Sequence, residues 1–180
     1  SFIKGDVNNS GLKTNSQDFG YCLGVLHHIP DTQGALNACV KLLKPGAPFL
    51  VYIYYFFEDK PEWYKNIWIF SNIFRKLISK MPRRLKQLST DLIALTIYFP
   101  MARFSKILEK LSIPLNKIPL SYYRNSSFYT MRTDSLDRFG TPLEQRFRKS
   151  KIQDMMNKAG LKDINFSNSA PYWCCVGYKK

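Results

Sequence analysis

The sequence predicts an α/β fold: a partial parallel sheet with a helical insertion ahead of a closing helix and strand pair. Three observations predict it. Residues 19–25 (FGYCLGV) and 49–55 (FLVYIYY) are short apolar runs rich in β-favouring residues. Between them Ala35, Leu36, Cys39, Val40 and Leu43 recur at helical spacing, giving strand, helix, strand with short connections. From about Glu58 to Pro119 the pattern turns helical throughout.

The first run, with alternating polar residues absent, reads as a strand buried on both faces, ended by His27, His28 and Pro30. Asp31 then suits a helix N-cap, because its carboxylate can accept from free backbone N–H groups. Lys44-Pro45-Gly46 stops that helix. In the insertion, Trp63, Ile67, Phe70, Phe74 and Leu77 form one apolar stripe, with Lys65, Arg75, Lys76 and Lys80 off it. Pro82, Pro100, Pro114 and Pro119 are expected to cut the region into short helices. Ser121 to Arg148 has no clear period and reads as a long loop or lid. A last helix, capped by Ser150 and stopped at Gly160, leads to strands at Leu161–Phe166 and Tyr172–Tyr178, the final one antiparallel at or near the sheet edge. The expected organisation is a core half at 1–57, an insert and lid loop at 58–148, and a completing segment at 149–180.

Composition narrows the function classes. The chain is 45% hydrophobic and 15% aromatic over 180 residues, enough for a packed core. A formal charge of +14 implies a face that attracts phosphates, nucleic acid or an anionic membrane. Cys22, Cys39, Cys174 and Cys175 show neither disulfide-framework nor zinc spacing, so no metal is expected and the thiols read as reduced. No apolar run is long enough to span a bilayer, and Lys4, Asp6 and Asn8 interrupt the opening segment where a secretory signal would lie. The expected location is cytoplasmic, with room for peripheral membrane contact.

His27 and His28 are the only histidines and sit at a strand's end, where imidazole can serve as a general base. The plainer reading is that they bond backbone and seal a pocket, as a histidine in such a turn more often does. Tyr123, Arg124, Tyr129 and Arg132, with Asp134, Asp137 and Arg138, could bind a flat or lipidic anionic acceptor, or could simply pair among themselves. The basic insert, Arg75 to Lys86 followed by apolar Leu92–Met101, suits an anionic membrane surface or a solvated helix face. Nucleic acid ranks lower, for lack of any recognition motif.

Residues 18–55, DFGYCLGVLHHIPDTQGALNACVKLLKPGAPFLVYIYY, resemble the later half of a class I S-adenosylmethionine-dependent methyltransferase of the type 11 kind. Lys4-Gly5-Asp6 and the tail at 159–180 resemble the same family's third strand end and closing elements. Two departures are Ala47, where the family's K-P-G-G turn has its second glycine, and Gly20, where an acidic residue is usual. No glycine-rich cofactor loop is present, so the chain resembles the C-terminal part of such an enzyme and is expected to hold S-adenosylmethionine weakly by itself. The resemblance implies that Asp6 and its neighbour Val7 lie at the adenine, and that Leu23 and Gly24 give backbone contacts to the methionine part. It implies methyl transfer to a small-molecule or lipid-like acceptor, with a noncatalytic membrane- or nucleic-acid-binding remnant as the alternative.

Overall fold

The computed structural model describes residues 4–7, 10–58, 60–115, 118–168 and 173–180. The chain divides into two units, one of residues 1–58 with 143–180 and the other of residues 59–142.

The first unit is built on a four-stranded mixed sheet in the order β1-β2-β4-β3. Strand β1 (Gly20–Leu23) runs parallel to β2 (Pro48–Tyr52), and helix α1 (Thr32–Leu42) makes the crossover between them. Pro48 opens β2, the strand position where a missing N–H costs least. Asp31 caps α1 as expected, its Oδ1 accepting from the Gly34 N–H at 2.8 Å. The stripe read from the sequence faces the core: Ala35, Leu36, Val40 and Leu43 are buried against Phe49, Val51 and Ile53. Helix α6 (Lys149–Lys158) adds Ile152, Met155 and Met156 to that core. Strands β3 (Leu161–Phe166) and β4 (Cys174–Lys179) are antiparallel, and β4 lies one place in from the edge held by β3.

Two expectations for this unit are corrected. Ser150 does not cap α6, which already starts at Lys149; the Lys149 N–H is instead satisfied by the Glu58 carboxylate at 2.9 Å. Strand β1 is buried on one face only. Gly20 packs so closely that a Cβ there would stand 2.9 Å from the Phe49 ring, whereas Tyr21 on the other face is 67% exposed. The physical reason is position: β1 ends the described sheet, and an absence of polar alternation cannot tell a covered face from a bare one.

The second unit contains α2 (Glu62–Ile78), α3 (Arg83–Ile93), α4 (Phe99–Lys110) and α5 (Phe128–Gly140). Pro100 does not cut the helix expected to end there. The chain runs from α3 into α4 through one π-helical turn, Ala94–Tyr98, whose wider backbone accommodates the missing N–H and the ring of the proline. Ser121–Arg148 is not an irregular loop either. It holds a 3-10 turn at Ser121–Asn125 and all of α5, capped by Ser127, whose hydroxyl accepts from the Thr130 N–H at 3.1 Å. Ile78, Tyr98, Ala102, Met131 and Phe139 make a small core. Polar contacts supplement it: Ser135 donates to the Thr90 carbonyl at 2.8 Å, and Arg75, 2% exposed, donates to the Thr141 carbonyl at 2.9 Å.

Candidate functional site

The carboxyl ends of β1 and β2 point the same way, as parallel strands must, and their continuations meet. After β1, Gly24 takes φ +73°, a left-handed conformation that suits glycine, while its N–H still bonds the Tyr52 carbonyl at 3.1 Å. A Cβ on Gly24 would meet only the Tyr52 ring at 3.9 Å, so the turn rather than crowding calls for glycine here. The 3-10 turn Leu26–His28 follows at once.

His27 is completely buried, its ring stacked on Tyr54 at 3.8 Å and 4.2 Å from that of His28. Neither of its ring nitrogens has a hydrogen-bond partner among the described residues. Burial is the main cause that lowers its pKa to about 3, with the neighbouring charges of His28 and Arg146 acting in the same direction. His27 is therefore a neutral imidazole at physiological pH.

His28 is half-buried and differently placed. Its Nδ1–H donates to the Leu143 carbonyl oxygen at 2.7 Å, a bond that fixes the orientation of the ring. The segment 143–148 straps this end of the sheet. Gln145 donates its N–H to the His27 carbonyl at 3.0 Å and its side-chain amide to the Ile29 carbonyl at 2.8 Å. Phe147 exchanges backbone bonds with Tyr54 and Phe56, extending the ladder past β2. Arg146 pairs with Glu144 at 2.9 Å, their side chains only 10% and 1% exposed, and its guanidinium lies over Phe57 at 4.4 Å and Tyr54 at 5.2 Å. Phe57 itself sits at φ +45°, a strained conformation for a bulky residue, costing on the order of 1–3 kcal/mol.

The other residues singled out from the sequence fall as follows. Leu23 ends β1 with its side chain exposed. Asp6 is exposed at an isolated β-bridge, and Val7 beside it packs on the core of the sheet unit. Tyr123, Arg124, Tyr129 and Arg132 belong to the helical unit. Tyr123 packs on Tyr98 at 5.3 Å between ring centres. Arg124 pairs with Glu109 at 2.7 Å, and Arg132 grips both oxygens of Asp91 at 2.9 and 2.6 Å. That fork holds the Asp91 carboxyl below its ordinary pKa. Tyr129 is exposed. The thiols of Cys22, Cys39 and Cys175 are pushed up by burial, to about 11 for Cys39 and about 12 for Cys175, so they stay protonated. No group of three metal-ligating side chains occurs among the described residues.

Sequence reading missed Tyr54, Glu144, Gln145 and Arg146. Tyr54 lay in plain view within FLVYIYY, but an aromatic at the end of a strand carries no signal of a histidine stacked on it. The strap residues contact a turn more than a hundred positions away in the chain, and no local spacing announces that.

In doubly wound α/β folds, ligands lie beyond the carboxyl ends of parallel strands, which is where β1, β2 and the Gly24 turn stand here. Residues 1–51, from the opening segment into β2, match the family described as a methyltransferase domain. No curated protein matches the chain in sequence. Among solved structures, an S-adenosylmethionine-dependent methyltransferase from Thermotoga maritima is 14% identical, with 99% of this chain aligned to 63% of that one at a TM-score of 0.45. An O-methyltransferase family protein from Burkholderia thailandensis is 11% identical, with 100% of this chain aligned to 36% of that one at a TM-score of 0.49. The chain thus spans less than two thirds of the length of these structures.

Proposed function

We propose that the complete protein containing these residues is an S-adenosylmethionine-dependent methyltransferase, acting on a small-molecule or lipid-like acceptor. The observation that carries the reading is the β1 end itself. Within the segment that matches a methyltransferase domain, β1 is followed by a left-handed glycine and then by a histidine with one ring nitrogen tied back.

The residues available fit the cofactor on one side. The Asp6 carboxylate would accept from the adenine amino group, with Val7 beside it, and the backbone at Leu23 and Gly24 would border the methionine part. Gly24 keeps side-chain bulk away from that approach. When bound, the cofactor supplies a sulfonium methyl carbon open to direct displacement. This chain orients and deprotonates. His28 Nε2 would take the proton of an acceptor hydroxyl or amine held beside it. His27, neutral and sealed, keeps His28 in register through ring contact and the Tyr54 stack. Arg124 and Arg132 are committed to carboxylates within the helical unit, so neither is carried forward as an acceptor contact.

The test is calorimetric titration of S-adenosylhomocysteine into the complete protein and its Asp6→Ala variant. Binding that weakens about tenfold in the variant is expected from loss of one charge-assisted hydrogen bond. No binding to the folded wild-type protein contradicts the reading.

A further inference from the structure

Helix α2 carries its apolar stripe on the outside. Trp63, Ile67, Phe70, Phe74 and Leu77 share one face, and all five are between 46% and 63% exposed. Its buried residues are Arg75 and Ile78, and Arg75 is held there by Asn72 at 2.7 Å and by the Thr141 carbonyl. A stripe of this size in water is unfavourable in proportion to its apolar area, and a contiguous exposed apolar face marks a surface that meets a partner.

The surrounding charge selects the partner. Lys76, Lys80, Arg83 and Arg84 follow the stripe and are exposed. Residues 59–142 hold fifteen Lys and Arg against six Asp and Glu, which gives this unit +9 of the chain's +14. A second copy of the chain would cover the stripe but would oppose +9 with +9. A nucleic acid would match the charge and leave five large side chains in water. A bilayer with acidic headgroups satisfies both requirements at once. No helix among the described residues is long and apolar enough to cross a membrane, whereas 17 residues of α2, about 25 Å at 1.5 Å per residue, can lie along one.

We propose that α2 is an interfacial helix that docks the protein on an anionic membrane, with its aromatic and aliphatic stripe at the acyl boundary and the following basic residues on lipid phosphates. This docking stands independently of the methyl-transfer reading.

The test is cosedimentation of the chain with vesicles of equal parts phosphatidylcholine and phosphatidylglycerol, and with vesicles of phosphatidylcholine alone. Binding is expected on the acidic vesicles, and Phe70→Ser/Phe74→Ser is expected to weaken it about tenfold or more at unchanged circular dichroism. In the wild-type chain, lipids brominated in the acyl region are expected to quench tryptophan fluorescence, and Trp63→Tyr to remove most of that quenching; this reading decides the matter even if the double variant does not fold. Equal vesicle binding by wild type and double variant overturns the proposal. So does salt-sensitive binding without quenching, the behaviour of a purely electrostatic surface. A chain that ignores vesicles and runs as a dimer dissolved by the serine substitutions overturns it in favour of self-association.

Discussion

Leu36 and Phe70 are both large apolar residues in the stripe of an amphipathic helix, yet Leu36 is sealed against the sheet and Phe70 is 63% exposed. The two units that hold them follow opposite burial rules. In the sheet unit the core is continuous and largely aliphatic, and its buried polar groups are His27, Thr32 and Glu144. In the helical unit Arg75, Thr90, Ser105 and Ser135 are buried while Trp63, Phe74, Leu88 and Phe104 are exposed. The larger apolar core lies in the first arrangement, and the second leaves its largest apolar stripe exposed. Hydrophobic periodicity identifies a stripe; it does not say whether the stripe faces inward.

The largest effect that could break this comparison is Leu36→Ala. Truncating a fully buried leucine is expected to cost about 2–5 kcal/mol, read as a fall in the denaturant midpoint. A loss under about 1 kcal/mol would mean that the sheet core is not packed as described.

The next is acid sensitivity. Folded His27 stays neutral down to about pH 3, whereas an unfolded histidine protonates near its ordinary value of 6.5. Between those values the native state binds fewer protons, so stability is full above about 6.5 and is lost as pH falls through the window, by up to about 1.4 kcal/mol per pH unit. Unfolding measured from pH 7 to 4 should show that slope, and His27→Leu should flatten it; an unchanged slope in the variant would assign the acid loss to other groups.

The smallest effect sharpens the contrast. Phe70→Ser is expected to change stability by no more than about 0.5 kcal/mol, because the ring is already in water. A large loss on denaturation would place Phe70 in a core and dissolve the distinction between the units.

These contrasts also mark how far the sequence could be read. The β1-α1-β2 order, the Asp31 cap and the core face of α1 were legible because each depends on near neighbours: a capping carboxylate, a helical repeat, a proline-glycine stop. Helix α5 was not, because Thr130, Arg132, Asp134 and Arg138 crowd its apolar positions Phe128, Met131 and Phe139, and its burial depends on partners such as Thr90 and Asp91 from another helix. Pro100 misled for a related reason: a π turn absorbs it, and no single residue announces a π turn. At the candidate site the histidine pair was visible as a pair, but its division of labour was not. That division comes from Leu143, Gln145 and Arg146, which return to the turn after the whole helical unit.

The measurement that tests the central claim most directly is ultraviolet crosslinking of methyl-labelled S-adenosylmethionine to the complete protein, followed by tryptic mapping. The account predicts label in the peptide Thr14–Lys41, which carries Leu23, Gly24 and both histidines, and its loss when excess S-adenosylhomocysteine competes. Competed label confined to peptides of residues 59–142, or none on a folded protein, would contradict it.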